Sequence, residues 1–175
     1  MIRILSAALC LIAFGYAPAY AQTTNISTEY LMTLYAPLDP PQKIDDSLSI
    51  YNVRPGGWVK GPRIKGTLIA PGADWVRVMP NGNVRLDVRG TIKTDDGALI
   101  YISYNGIVSM SPEVAKRRAN GETLASTDQY FLTAPTMETS SKAYLWLNHL
   151  QCVGKIVESK AGDGAFVKYD IFAVR

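Results

Sequence analysis

A chain of 175 residues has room for one domain with a core of its own. Its 18 Lys and Arg against 15 Asp and Glu leave a net charge of only +3, and the basic residues are scattered, which excludes the clustered footprint of a nucleic-acid binder. A single histidine, His149, and two cysteines exclude a histidine-rich metal centre and a zinc motif, so neither a metal nor a cofactor is expected.

The chain opens on a leader. Arg3 is followed by an uncharged apolar run from Ile4 to Gly15 and then by Ala19-Tyr20-Ala21, the basic start, apolar middle and small-residue end of a secretory signal peptide. The run is too short to cross a bilayer, which takes about 20 apolar residues, so no stable membrane anchor is expected. Residues 1–21 are expected to be removed before Gln22, leaving residues 22–175 as a single exported domain, periplasmic or secreted. Cys10 leaves with the leader. Cys152 then has no partner within the chain and reads as a small buried hydrophobe. A homodimer stays open.

Thr28–Ala36 reads as a first strand, and Pro37, Pro40 and Pro41 forbid regular pairing after it. Leu48–Val53 is a short second strand, broken by Pro55-Gly56-Gly57. The stretch from Gly61 to Gly106 reads as a meander with strands near Arg63–Ala70, Asp74–Met79, Asn83–Thr94 and Ala98–Asn105. Its breaks are Pro71-Gly72, Pro80-Asn81-Gly82 and Asp95-Asp96-Gly97, where proline presets φ and glycine accepts positive φ. One helix follows: Ser111 caps it, Pro112 opens it, Lys116, Arg117 and Arg118 fill its last turn, and Asn120-Gly121 ends it. The three cations are read as solvated, and the helix as plugging or flanking one end of the domain. Strands at Thr127–Thr133, Ala143–Gly154 and Ala165–Val174 close the chain, with a possible extension of the middle one to Glu158. Roughly nine or ten strands at such even spacing predict an all-β sandwich or barrel.

GPRIKG, PGADW, LDVRGTIKTDDGALIY and PTMETSSKAYLWLNHLQCVG, taken together, resemble the domain-of-unknown-function family 3237, also called uncharacterised protein family 0311. The resemblance covers most of the chain after the leader and implies a single antiparallel β-barrel. Closure of a barrel also removes exposed strand edges, which favours it over a sandwich. The chain departs from the family's pattern at Met137, where an aromatic residue is usual, and at His149, where arginine is.

Side chains alternate along a strand, so parity separates the faces. In Val84–Lys93 the even residues are apolar and belong inside, which leaves Asp87 and Arg89 as an outer charge ladder; the alternative places them, Arg89 included, in a polar lumen. The even face of Ala143–Gly154 carries Tyr144, Trp146 and Asn148, an aromatic row interrupted by one amide. Asn148 is either a satisfied core group or a ligand-facing one. Asp74 either caps the Pro71-Gly72 turn or, if buried, becomes a usable acid or base. Glu138 is expected at a barrel mouth, and the resemblance adds weight to it because the matching family segment also carries Glu. Tyr101 and Tyr104 fall on opposite faces of one strand, and a subset of such tyrosines at one end would suit a ring-shaped ligand.

No Gly-x-Ser-x-Gly elbow and no phosphate loop occurs. The expected function is binding of a small apolar or aromatic molecule in the lumen by Asn148, Trp146, Tyr144, Tyr104 and Arg89. The alternative is a cofactor-free acid–base isomerase, cyclase or lyase on a small cyclic or aromatic substrate, with Glu138 and Asp74 as acid and base.

Overall fold

Alternation of inward and outward residues, interrupted by bulges in β1, β5 and β10, makes each long strand of this chain one side of a wall. The computed structural model describes residues 25–175; the leader and Cys10 lie outside them. The strands are β1 (Thr28–Pro37), β2 (Gln42–Lys43), β3 (Leu48–Asn52), β4 (Trp58–Lys60), β5 (Lys65–Val78), β6 (Val84–Thr94), β7 (Leu99–Ser109), β8 (Thr123–Ala125), β9 (Tyr130–Glu138), β10 (Cys152–Lys160) and β11 (Phe166–Val174). Helix α1 (Pro112–Ala119) follows β7, and a 3₁₀ turn, Leu145–His149, precedes β10.

All pairings are antiparallel. Eight strands close a barrel in the order β4, β1, β11, β10, β9, β7, β6, β5 and back to β4. β3 pairs with the second half of β5 where β4 pairs with the first, so the two short strands share one edge of it. The expected single antiparallel barrel with one short helix is therefore the fold, with the very short β2, β4 and β8 as strands the sequence did not signal, although β4 closes the barrel between β1 and β5.

The parity reading of Val84–Lys93 holds. Leu86, Val88 and Ile92 of β6 face the lumen and are buried, as are Ile100, Ile102, Tyr104 and Val108 of β7. Tyr101 and Tyr130 point outward where Tyr104 and Phe131 point in. Cys152 is buried and free, as expected of a small hydrophobe.

Two expectations fail. Pro71-Gly72 does not end a strand: β5 runs through it, with a cis Ala70–Pro71 bond and a register shift between Ile69 and Ala73. Ile69 faces Thr91 and Ala73 faces Arg89, so β5 carries two extra residues there. An insertion of two, unlike one, leaves the period-two facing of the strand unchanged beyond the bulge. Proline is tolerated at such a site because no ladder donor is needed from it.

The second failure is Ala143–Gly154, which is not one strand. Tyr144, Leu147 and Leu150 all pack toward the core, a spacing of three that a 3₁₀ turn presents on one side and a strand cannot. Leu147 is fully buried and closes the barrel end formed by the start of β10 and the end of β9. β9 also begins and ends later than the expected Thr127–Thr133 and absorbs the Pro135–Glu138 segment.

Closing this end depends on a few side chains. Asn148 Nδ2 donates to Thr139 O at 2.9 Å, and its Oδ1 accepts from the Thr139 N–H at 2.9 Å, tying the turn to the exit of β9. The Arg63 guanidinium lies 3.9 Å from the ring centre of Trp146, whose Nε1 donates to Ala143 O. Tyr144 donates to Asp96 Oδ1 at 3.2 Å. Leu147→Ala is expected to lower stability by about 2–5 kcal/mol, the range for emptying a buried leucine site. Asn148→Ala should cost about 1 kcal/mol through its two backbone bonds. Chemical denaturation of both variants checks the pair, and an Asn148→Ala cost near that of Leu147→Ala would contradict this division of roles.

Candidate functional site at the open end of the barrel

The other end is open. There β5 ends, β6 begins, β7 gives way to α1, and β10 turns into β11. A cavity enters the lumen from this side. Val76, Val84, Leu86, Val108, Phe131 and Val167 form its apolar wall, and its polar members are Asp74, Tyr51, Arg118, Gln129, Ser159 and Lys160. Its free volume is about 40 Å³. On that measure one water needs roughly 10–15 Å³, so the cavity takes a few waters or the tip of a larger molecule.

Asp74 faces inward because the bulge before it, being of two residues, keeps the parity of Gly66 and Leu68. It stands opposite Val88 in β6, which stands opposite Tyr104 in β7, one row across the inner wall. It does not cap the preceding turn. Its Oδ1 accepts one hydrogen bond, from the Asp87 N–H at 3.2 Å, and no ion pair among the described residues includes it. Burial among apolar side chains pushes its carboxyl up to about 7, the Asp87 carboxylate pushes the same way, and the Asp87 N–H opposes both. The same burial raises the hydroxyls of Tyr104 and Tyr169, and the nearby Asp74 charge adds to it in each. The Tyr169 ring meets Tyr104 edge-on at 6.0 Å and Phe131 at 5.4 Å, an aromatic floor under the cavity.

Arg118 reaches this cavity from the last turn of α1. Ser111 Oγ accepts from the Val114 N–H at 3.3 Å and starts the helix, as its capping signature predicts. Within the basic triplet the roles separate. Arg117 is bound at 2.9 Å to both Glu122 and Asp128, Lys116 is exposed, and Arg118 lines the mouth. Successive helix residues point about 100° apart, so a triplet cannot share one solvent face. Below Arg118, Gln129 Nε2 donates to Ser159 Oγ at 2.9 Å, both side chains being buried.

The residues singled out from sequence scatter. Asp74 and Tyr104 share the lumen. Tyr144, Trp146 and Asn148 belong to the turn before β10 and do not line the cavity that Asp74 faces. Arg89 lies on the outer surface, 3.3 Å from Asp87 and over the Trp75 ring, in the outer-ladder position. Glu138 is exposed at the end of β9 opposite Tyr101, three residues past the Asp74 row, so it does not pair with Asp74 across a ligand. Tyr169 was legible: Val167, Tyr169, Ile171 and Ala173 alternate as an inner face. Arg118, Gln129, Ser159 and Lys160 carried no such signal, because a helix, a loop and the end of β10 meet only in the folded chain.

Comparison with known proteins places this barrel. The family model described as Protein of unknown function (DUF3237) matches residues 26–174. The chain belongs to that family. Among DUF3237 relatives, a UPF0311 protein of Rhodopseudomonas palustris is 31% identical over 135 residues, covering 75% of this chain and 88% of its own length. Its crystal structure, described as a conserved protein of unknown function, superimposes with a TM-score of 0.77 over 87% of this chain and all of its own. A "beta-barrel like protein" of Acinetobacter baumannii is 30% identical with a TM-score of 0.67, over 92% of this chain and all of its own. A crystal structure described as an enzyme from Penicillium herquei is 20% identical with a TM-score of 0.59, over 89% of this chain and 99% of its own; at that identity the likeness carries the fold alone.

The pH dependence of stability isolates Asp74. The carboxyl is raised from 3.8 to about 7, so the folded state holds its proton more tightly than the unfolded chain. The resulting stability is fully present below 3.8, declines as pH rises, and is lost above 7. Asp74→Asn keeps a neutral group at every pH. Its melting temperature, relative to the parent, should rise steadily between those two values and level off above them. A parent and variant that track each other across the range would show an ordinary carboxyl.

Proposed function

We propose that this chain binds a small, partly apolar molecule in the mouth of its barrel and that Asp74 gives it or takes from it a proton. The observation that carries the reading is the position of Asp74: an inward carboxyl with one hydrogen bond, no cationic partner among the described residues, and an apolar cavity in front of it. A general acid or base works best when its pKa lies near the working pH, and burial has moved this one there. The chemistry within reach is proton transfer without a cofactor, as an isomerase, cyclase or lyase performs it. With Glu138 on the outside, a single carboxyl has both to take and to return the proton.

The test is direct. Carbon-13 NMR of the Asp74 carboxyl should show a midpoint near 7, and benzyl alcohol, small, neutral and ring-shaped, should shift both that midpoint and the resonances of Val76 and Leu86. Asp74→Asn should bind it with altered affinity and lose the pH dependence. His149 lies at the sealed end and does not interfere. A midpoint in the ordinary carboxylate range, with no benzyl alcohol effect on these resonances, would sink the proposal.

We further propose that the protein works outside the cytoplasm after loss of residues 1–21. The outer face of β6 supports a water-facing barrel: Arg85, Asp87, Arg89 and Lys93 stand where a membrane barrel carries its apolar band. Sequencing of the exported product should begin at or near Gln22, and a leader retained in the membrane fraction would contradict this.

A further inference from the structure

We propose that the mouth cavity selects an organic anion, a small carboxylate-type acid whose oxygen head is held by Arg118 and Lys160 and whose apolar body rests on Val76, Val84, Leu86 and Val108. This deepens the reading of the mouth as a ligand site and rests on it.

Donors outnumber acceptors around this cavity. Arg118 and Lys160 line it from two different elements, α1 and the end of β10, and both are partly buried. Neither takes part in any ion pair among the described residues, although Arg117 next door holds two carboxylates. Arginine and lysine donate and never accept. The Gln129–Ser159 pair has a donor to spare in either orientation of the amide. If the Gln129 amide donates to Ser159 Oγ, the serine hydroxyl proton is free; if the amide is reversed, its own N–H groups are. Ser159 and Gln129 are buried and both line the same cavity. With Asp74 protonated, it too is a donor. Donors therefore dominate a pocket whose remaining wall is apolar, and two of them are cationic. A ligand that satisfies such a pocket brings acceptor oxygens and negative charge at one end and hydrocarbon at the other. A carboxylate does so, with charge-assisted bonds to the guanidinium and ammonium groups. A neutral amide of the same shape offers one acceptor and adds two donors with few partners.

Benzoate and benzamide, nearly equal in shape and differing in charge, are the probes, titrated by calorimetry and NMR at about pH 6, where benzoate is ionised. Benzoate is expected to bind at least about tenfold more tightly than benzamide. Arg118→Gln and Lys160→Gln should each remove most of that preference, and Arg118→Lys, which keeps the charge, should retain part of it. Lys116→Gln, an exposed cation on the same helical turn, should leave it unchanged; thermal melts show that each variant folds. Equal binding of acid and amide, or a preference that survives both glutamine variants, would overturn the inference. Benzamide binding that shifts the Asp74 resonances without any advantage for benzoate would overturn it too, and would leave the mouth standing as a ligand site. If neither probe nor benzyl alcohol binds, the reading of the mouth falls with it.

Discussion

The constraint on which this molecule depends is the two-residue period of its wall. In a closed barrel each strand residue faces either the lumen or the solvent, and the hydrogen bonds to its neighbours leave it no third choice. That rule fills the lumen with Met32, Leu34, Ile92, Ile100, Ile102 and Ile171, and sends Arg85, Asp87 and Arg89 outward. It also explains why β5 can carry a bulge at Pro71-Gly72 without losing its place. Two extra residues preserve the facing of the rest of the strand; one would have turned Asp74 and Val76 to the outside and Trp75 and Arg77 into the core.

The consequence is an acid in an apolar setting. A buried carboxylate is costly unless it finds a cation or several donors. Asp74 has one backbone donor, so it keeps its proton well above the usual range. The contrast with the surface is clear. Asp128, bound to Arg117 and to the Ala125 N–H, and Asp45, bound to the backbone of Ser47 and Leu48, are both held below their ordinary values. The same residue type is an acid in one place and a fixed anion in the others, and partner supply decides which.

The two ends of the barrel divide the work. At one, Leu147 fills the lumen and Asn148, Trp146 and Tyr144 fasten the turn that carries it. At the other, a two-turn helix stands beside the opening with no residue fully buried, and turns Arg118 toward the cavity. Glycines at the inner face make the packing between these ends close. A Cβ on Gly106 would fall 2.9 Å from Leu86 Cδ1 and 3.0 Å from Thr133 Cγ2, so the wall approaches itself there only because no side chain intervenes.

The order of residues alone was enough for whatever depends on neighbours along the chain. Alternation in 84–93 identified a strand and its inner face, and put Tyr101 and Tyr104 on opposite faces of the next; the same alternation in 166–174 would have placed Tyr169 inside; the turn residues placed most of the breaks; Ser111, Pro112 and Asn120 bounded the helix. Local reading went wrong where two periods compete. Apolar residues at 144, 147 and 150 carry the spacing of a 3₁₀ turn, and a strand reading of the same letters put Tyr144, Trp146 and Asn148 on one face that the turn does not have. Pro71-Gly72 looked like an end because the bulge that accommodates it exists only against a pairing partner. The composition of the cavity was decided by tertiary structure alone. Asp74, Arg118, Gln129 and Lys160 lie far apart in the chain, and only closure of the barrel sets them around one opening. Whether a carboxyl at position 74 is acid or anion likewise depended on what the fold put beside it, which is a matter of desolvation and not of sequence.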